Sequence, residues 1–196
     1  GYGKKFRYAN YGDWGGGDYQ DLMSGVDYVI DQGVADPDRM GVMGWSYGGY
    51  MTSWTITQTH RFRAASVGGG VTNLMTFNGA ADIPSFLPDY LGGEFWDKPE
   101  IYQERSPMFH IKGVNTPTLI THGEIDERVP LSQDEELYSA LKRQGCTTKM
   151  VIYPRTHHGI EEPRLMLDCM NRNLDWFDRY VRGAKPAPEK PRGAGL

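Results

Sequence analysis

Apolar residues along this chain recur with two different periods, and the two alternate. Leu22, Val26, Val29 and Ile30 lie at helical spacing, so Asp18 to Gln32 is expected as a helix capped by Asp18, closed by Gly33 and the stretch Ala35-Asp36-Pro37-Asp38. Met40 to Met43 is a short apolar run and reads as a buried strand; Tyr47 to Thr59 then reads as helix and Ala64 to Val67 as strand. Gly68 to Asp97 is Gly-rich, aromatic and irregular, with room for short helices. After Pro117 the alternation is cleaner: strand Thr118 to Thr121, helix Leu131 to Gln144, strand Thr148 to Tyr153, and a long amphipathic helix Glu162 to Val181. Strands and helices in this order imply parallel βαβ units, with chemistry at the carboxyl ends of the strands.

At 196 residues the chain has the length of one domain with a sizeable core. Gly183 to Leu196 has linker composition, rich in Pro, Gly and charge, and is expected to be a disordered tail after a catalytic domain over residues 1–182. Apolar residues make up 39% and charged residues 23%, and there is no run long enough to span a membrane. The net charge of −4 is spread along the chain, which argues against a phosphate-tracking surface and so against nucleic acid as a partner. The two cysteines, Cys146 and Cys169, have no CxxC spacing and read as reduced thiols. The chain opens on Gly1 without a visible signal peptide, and a cytoplasmic location is the expectation.

The chemistry enters at Gly44-Trp45-Ser46-Tyr47-Gly48, a G-x-S-x-G pattern between an apolar strand and a helix. A serine on such a tight turn needs small neighbours at Gly44 and Gly48, and its hydroxyl is pushed clear of the sheet. The following helix then offers backbone N–H groups, Tyr47's above all, to an oxyanion. Such a serine needs a base, and the base an acid that orients it, each on a loop after a later strand. Strand Thr118–Thr121 runs into a loop with three carboxylates, Glu124, Asp126 and Glu127. The short Asp126, followed by Val129-Pro130, is the choice, and Glu124 and Glu127 read as solvated or structural. Strand Thr148–Tyr153 runs into His157-His158-Gly159, where either histidine fits. His60 ends a helix, His110 lies in a connector and His122 orders its own loop. No HExxH spacing accompanies the histidine pair, so neither metal nor cofactor is expected.

These residues together resemble the catalytic domain of the prolyl oligopeptidase family of serine peptidases, an α/β-hydrolase fold with a mostly parallel sheet and helices on both faces. The acylaminoacyl-peptidase-like and dipeptidyl-peptidase-like branches are the most similar. The resemblance covers about residues 1–182. It rests on Gly1-Tyr2-Gly3 with Phe6, Gly12-Asp13-Trp14-Gly15, Asp18 and Asp21, the Trp45-Ser46-Tyr47-Gly48-Gly49 elbow, His122-Gly123 with Asp126 and Val129-Pro130, and Tyr153-Pro154 with His158-Gly159. It implies that the histidine before Gly159, His158, is the base rather than His157. It also implies a specificity pocket from Tyr47, Val71, Leu74, Phe77 and Val129, with Arg128 beside bound substrate. For Val71, Leu74 and Phe77, core packing at helical spacing is an equal reading.

The implied activity is hydrolysis of short peptides through an acyl-enzyme on Ser46, Asp126 and His158. A carboxylesterase with the same machinery and a catalytically impaired fragment are the alternatives. The family's early strands, its His-Gly-Gly-Pro-like loop with a second oxyanion donor, and its β-propeller have no counterpart in these residues. The expected partners are therefore a short peptide substrate and an N-terminal part of the same protein that completes the sheet; a homo-oligomer is compatible.

Overall fold

The computed structural model describes residues 2–183. Its centre is a sheet of four parallel strands, β1 (Gly41–Trp45), β2 (Ala64–Gly68), β3 (Thr118–Gly123) and β4 (Thr148–Tyr153), side by side in chain order. Every residue of β2 and β3 is buried, as strands covered on both faces require, whereas β1 and β4 are partly exposed edges. β1 and β3 each run two residues past their expected ends. Gly44 and Trp45 read as turn, yet they stay paired with Val67 and Gly68.

Helices α1 (Lys4–Arg7) and α2 (Gly17–Asp31) precede the sheet, and α3 (Tyr47–Gln58) links β1 to β2. Between β2 and β3 come α4 (Leu74–Ala80), α5 (Phe86–Leu91), α6 (Pro99–Glu104) and a 3₁₀ turn at Pro107–His110; α1, α6 and this turn were not expected from the periodicity. α7 (Ser132–Arg143) and α8 (Pro163–Tyr180) are the last helices among the described residues and fall within a residue of their expected bounds. The expected cap of α2 is corrected. Asp13, not Asp18, accepts the Gly17 N–H at 2.8 Å, because the helix starts one residue before Asp18. Asp18 lies inside the first turn, where its carboxylate accepts the Tyr19 N–H and the Tyr47 hydroxyl.

Three apolar clusters follow from this layering. Ile56 of α3 and Leu137 and Leu141 of α7 pack on Ala65, Val67 and Ile120 of one sheet face. On the other face Trp176 and Phe177 of α8 cover Ala64, Leu119 and Val151. A third cluster sits at the carboxyl ends of the strands and gathers Trp14, Tyr50, Trp54, Val71, Leu74, Phe77, Leu87, Tyr102 and Val129. The edge at β1 stays open. Leu22 of α2 is 54% exposed and Met43 59%, beside a groove of about 980 Å³ between α2, β1 and α3. Both cysteines are free thiols. No described helix is long and apolar enough to cross a membrane, and the expected tail falls on residues 184–196, outside the described residues.

Candidate active site

Ser46 stands where β1 ends and α3 begins. Its backbone has φ 61° and ψ −119°, a conformation that L-residues with a Cβ adopt only under strain. The turn is closed by backbone on backbone: a Cβ on Gly44 would lie 2.4 Å from Gly48 backbone atoms. The expectation that Gly48 must also be small is corrected, since a Cβ there meets nothing within 4 Å and points into open space. Gly49 carries a different constraint, its would-be Cβ falling 2.6 Å from the Gly68 carbonyl, so α3 approaches the end of β2 closely. Tyr47 is the first residue of α3, and its N–H has no partner within the helix.

The loops after β3 and β4 meet above this turn. Glu124 and Ile125 donate their N–H groups to the carbonyls of Tyr153 and Thr156, at 2.9 and 3.1 Å. A Cβ on Gly123 would strike the His157 carbonyl at 2.2 Å, so only glycine lets the two loops close. Their meeting brings Asp126 and His158 together. Asp126 Oδ2 accepts from His158 Nδ1 at 2.8 Å, and the Ser46 hydroxyl donates to His158 Nε2 at 2.7 Å. The tautomer follows from these partners: Nδ1 bears the proton and Nε2 is free to accept. Trp45 Nε1–H holds the His158 backbone by donating to its carbonyl at 2.8 Å. The Asp126 side chain has no solvent exposure and its Oδ1 takes the N–H groups of Arg128 and Val129, at 3.0 and 2.9 Å.

His157 points away from the serine to Glu127, 2.8 Å from Nδ1. That carboxylate holds the exposed imidazole above its ordinary pKa. Glu124 accepts the Arg155 N–H at 2.9 Å, and both acids beside Asp126 are therefore spoken for. His110 contacts the Glu104 carbonyl. His122 is wholly buried, with one nitrogen on Asp134 and the other on the Val129 carbonyl.

Tyr47, Val71, Leu74, Phe77 and Val129 share one apolar cluster, and four of them are nearly solvent-free: Val71 4%, Leu74 0%, Phe77 2% and Val129 1%. Tyr47 is less buried and meets Trp14 edge-on at 4.7 Å. Burial, and then its bond to Asp18, push the Tyr47 phenol well up, so it stays neutral. Arg128 is engaged at the rim, its guanidinium forked onto Asp82 at 2.6 and 3.2 Å. Trp14, Trp45 and Asp134 also pack around these residues; the first two stand in motifs the sequence reading quoted without giving them a role, and Asp134 was read only as part of a helix. Among the described residues no group of three or more His, Cys, Asp or Glu is placed to hold a metal ion.

Comparison with known proteins agrees with this architecture. The sequence model of the prolyl oligopeptidase family matches residues 1–184. The uncharacterized peptidase YuxL of Bacillus subtilis is 41% identical over 186 residues, covering 92% of this chain and 28% of its own. The acylamino-acid-releasing enzyme of Arabidopsis thaliana is 31% identical over 93% of this chain and 25% of its own. Among solved structures, the Pyrococcus horikoshii acylaminoacyl peptidase superposes with a TM-score of 0.89 at 29% identity, over 96% of this chain and 32% of that one. The chain thus spans between a quarter and a third of the length of these proteins.

Proposed function

The chain belongs to the prolyl oligopeptidase family, and from that premise we propose that it carries the catalytic machinery of a serine peptidase, with Ser46 as nucleophile, His158 as base and Asp126 as the acid that orients the base. The observation that carries this reading is the unbroken relay of 2.7 and 2.8 Å contacts from the strained Ser46 through His158 to the buried Asp126. Ser46 Oγ attacks the substrate carbonyl carbon while its proton passes to His158 Nε2. Asp126 stays ionised and steadies the imidazolium through Nδ1–H. The oxyanion is received by the Tyr47 N–H at the positive end of α3. When the C–N bond breaks, His158 returns its proton to the leaving amine, and water then releases the acyl group from Ser46 by the reverse use of the same base.

The substrate class is a short peptide with an apolar residue on the acyl side. Tyr47 forms the accessible wall and Val71, Leu74, Phe77 and Val129 the layer behind it, with Arg128 at the rim. The exposed β1 edge and its apolar groove support a second element of the proposal. Further strands of the same protein complete the sheet there and bring the second oxyanion donor.

The test is turnover of N-acyl peptide nitroanilides that differ in the acyl-side residue. Apolar residues should be preferred in a graded series, because each methylene of mismatch is worth roughly 1–3 kcal/mol. Ser46→Ala should remove turnover. An enzyme that cleaves activated esters but no peptide nitroanilide would replace this reading with a carboxylesterase. A strong preference for a charged acyl-side residue would refute the pocket.

A further inference from the structure

His122 and Asp134 form a second buried pair directly behind the Ser46–His158–Asp126 relay, and neither side chain has any solvent exposure. His122 is the next-to-last residue of β3 and Asp134 lies in the first turn of α7. His122 Nε2 lies 2.8 Å from the Val129 carbonyl, which can only accept, so Nε2 bears a proton. His122 Nδ1 and Asp134 Oδ2 are 2.7 Å apart, too close for two bare acceptors, so another proton lies between them. The pair holds one proton more than a neutral imidazole beside a carboxylate would. Its geometry points at Asp126: Nε2 is 3.5 Å from Asp126 Oδ2, and the Val129 carbonyl it grips belongs to the residue whose N–H binds Asp126 Oδ1.

We propose that His122 is a positioning residue for Asp126, and that the proton it shares with Asp134 locks the Asp126–Val129 turn so that Asp126 is aimed at His158. The inference rests on the triad reading above. It assigns these two residues no contact with substrate. The energetics are consistent with it. Burial opposes charge on His122, but its bonds to Asp134 and Val129 outweigh this and hold the imidazole above its ordinary pKa. Burial likewise pushes the Asp134 carboxyl up. Both directions favour keeping the shared proton. A raised pKa means that the lock is intact at low and neutral pH and is lost as pH rises through the raised value. The other groups facing the pair are Asp126 from the same turn and the Gly70 N–H from the end of β2, 3.3 Å from Asp134 Oδ2; His158 lies beyond Asp126.

The experiment is the rate of covalent labelling by a fluorophosphonate across pH, in the protein as it occurs. Wild type should lose rate at alkaline pH as the lock opens. His122→Ala and Asp134→Ala should label roughly 10- to 100-fold more slowly at neutral pH, the scale on which outer partners of an oriented group act. Asp134→Asn supplies an N–H that cannot be titrated away. It should recover most of the rate lost in Asp134→Ala and flatten the alkaline limb, which general destabilisation would not do. If His122→Ala labels at the wild-type rate, the positioning role is wrong. If Asp134→Asn keeps the wild-type alkaline limb, the shared proton is wrong, and this holds even should His122→Ala fail to fold. Labelling that survives Ser46→Ala would instead condemn the triad reading itself.

Discussion

Replacing Ser46 by glycine and by alanine separates two things that the elbow does with this residue. Both variants lose the hydroxyl and its 2.7 Å bond to His158 equally. They differ in the Cβ, which at φ 61° and ψ −119° sits in a region L-residues avoid. Strain of this kind is worth about 1–3 kcal/mol. Glycine relieves it but gives the unfolded chain more freedom, which takes back about 0.4–1 kcal/mol. The net expectation is that Ser46→Gly is more stable than Ser46→Ala by about 0.5–2 kcal/mol. For a domain of this size that corresponds to roughly 1–8 °C in Tm. Differential scanning calorimetry on the two proteins reads it directly, and neither should react with a fluorophosphonate. Should Ser46→Gly melt below Ser46→Ala, the elbow is not strained, and the argument that glycine-like geometry holds the hydroxyl out of the sheet fails with it.

Gly44→Ala and Gly48→Ala should act in opposite directions. The first drives a methyl to 2.4 Å from the Gly48 backbone and should lower stability by at least the ~1–3 kcal/mol typical of overpacking, while the second adds a methyl to open space on a helix and should be neutral or slightly stabilising by thermal melt. His158→Ala should cost several orders of magnitude in nitroanilide turnover, as loss of a triad member does. His157→Ala should cost less than about tenfold; its bridge to Glu127, present between the lowered pKa of Glu127 and the raised pKa of His157 and lost outside that window, is exposed and of little weight. Leu74→Ala, emptying a fully buried site in the cluster behind Tyr47, should lower stability by about 2–5 kcal/mol in urea titration.

What could be read from the chain, and what could not, divides along physical lines. β4, α7 and α8 were legible because their apolar periods are regular and no glycine interrupts them. The end of β1 was not, since Gly44 and Trp45 belong to a motif that reads as turn while their backbones are still paired with β2. α1 and α6 are too short to show a period. The start of α2 was misplaced because Asp13 reaches forward past Gly15 and Gly16, residues that say nothing about helix. Ser46, Asp126 and the His157-His158 pair announced themselves by motif and by position after strands. The choice of Val71, Leu74 and Phe77 as pocket walls came from the family resemblance, while their helical spacing read equally as core packing; these residues expose at most 4%, and neither a motif nor a spacing separates a lining residue from a buried one. The His122–Asp134 pair left no trace in the sequence, because one residue lies near the end of a strand and the other in the first turn of a helix, and only the fold closes the gap between them.

The central claim, that Ser46 is the activated nucleophile, is tested most directly by mapping where a fluorophosphonate binds. The protein is labelled, digested and analysed by tandem mass spectrometry, alongside Ser46→Ala. A single adduct on Ser46, absent from the variant, is the predicted result. An adduct on any other residue, or labelling that persists in Ser46→Ala, would contradict the account.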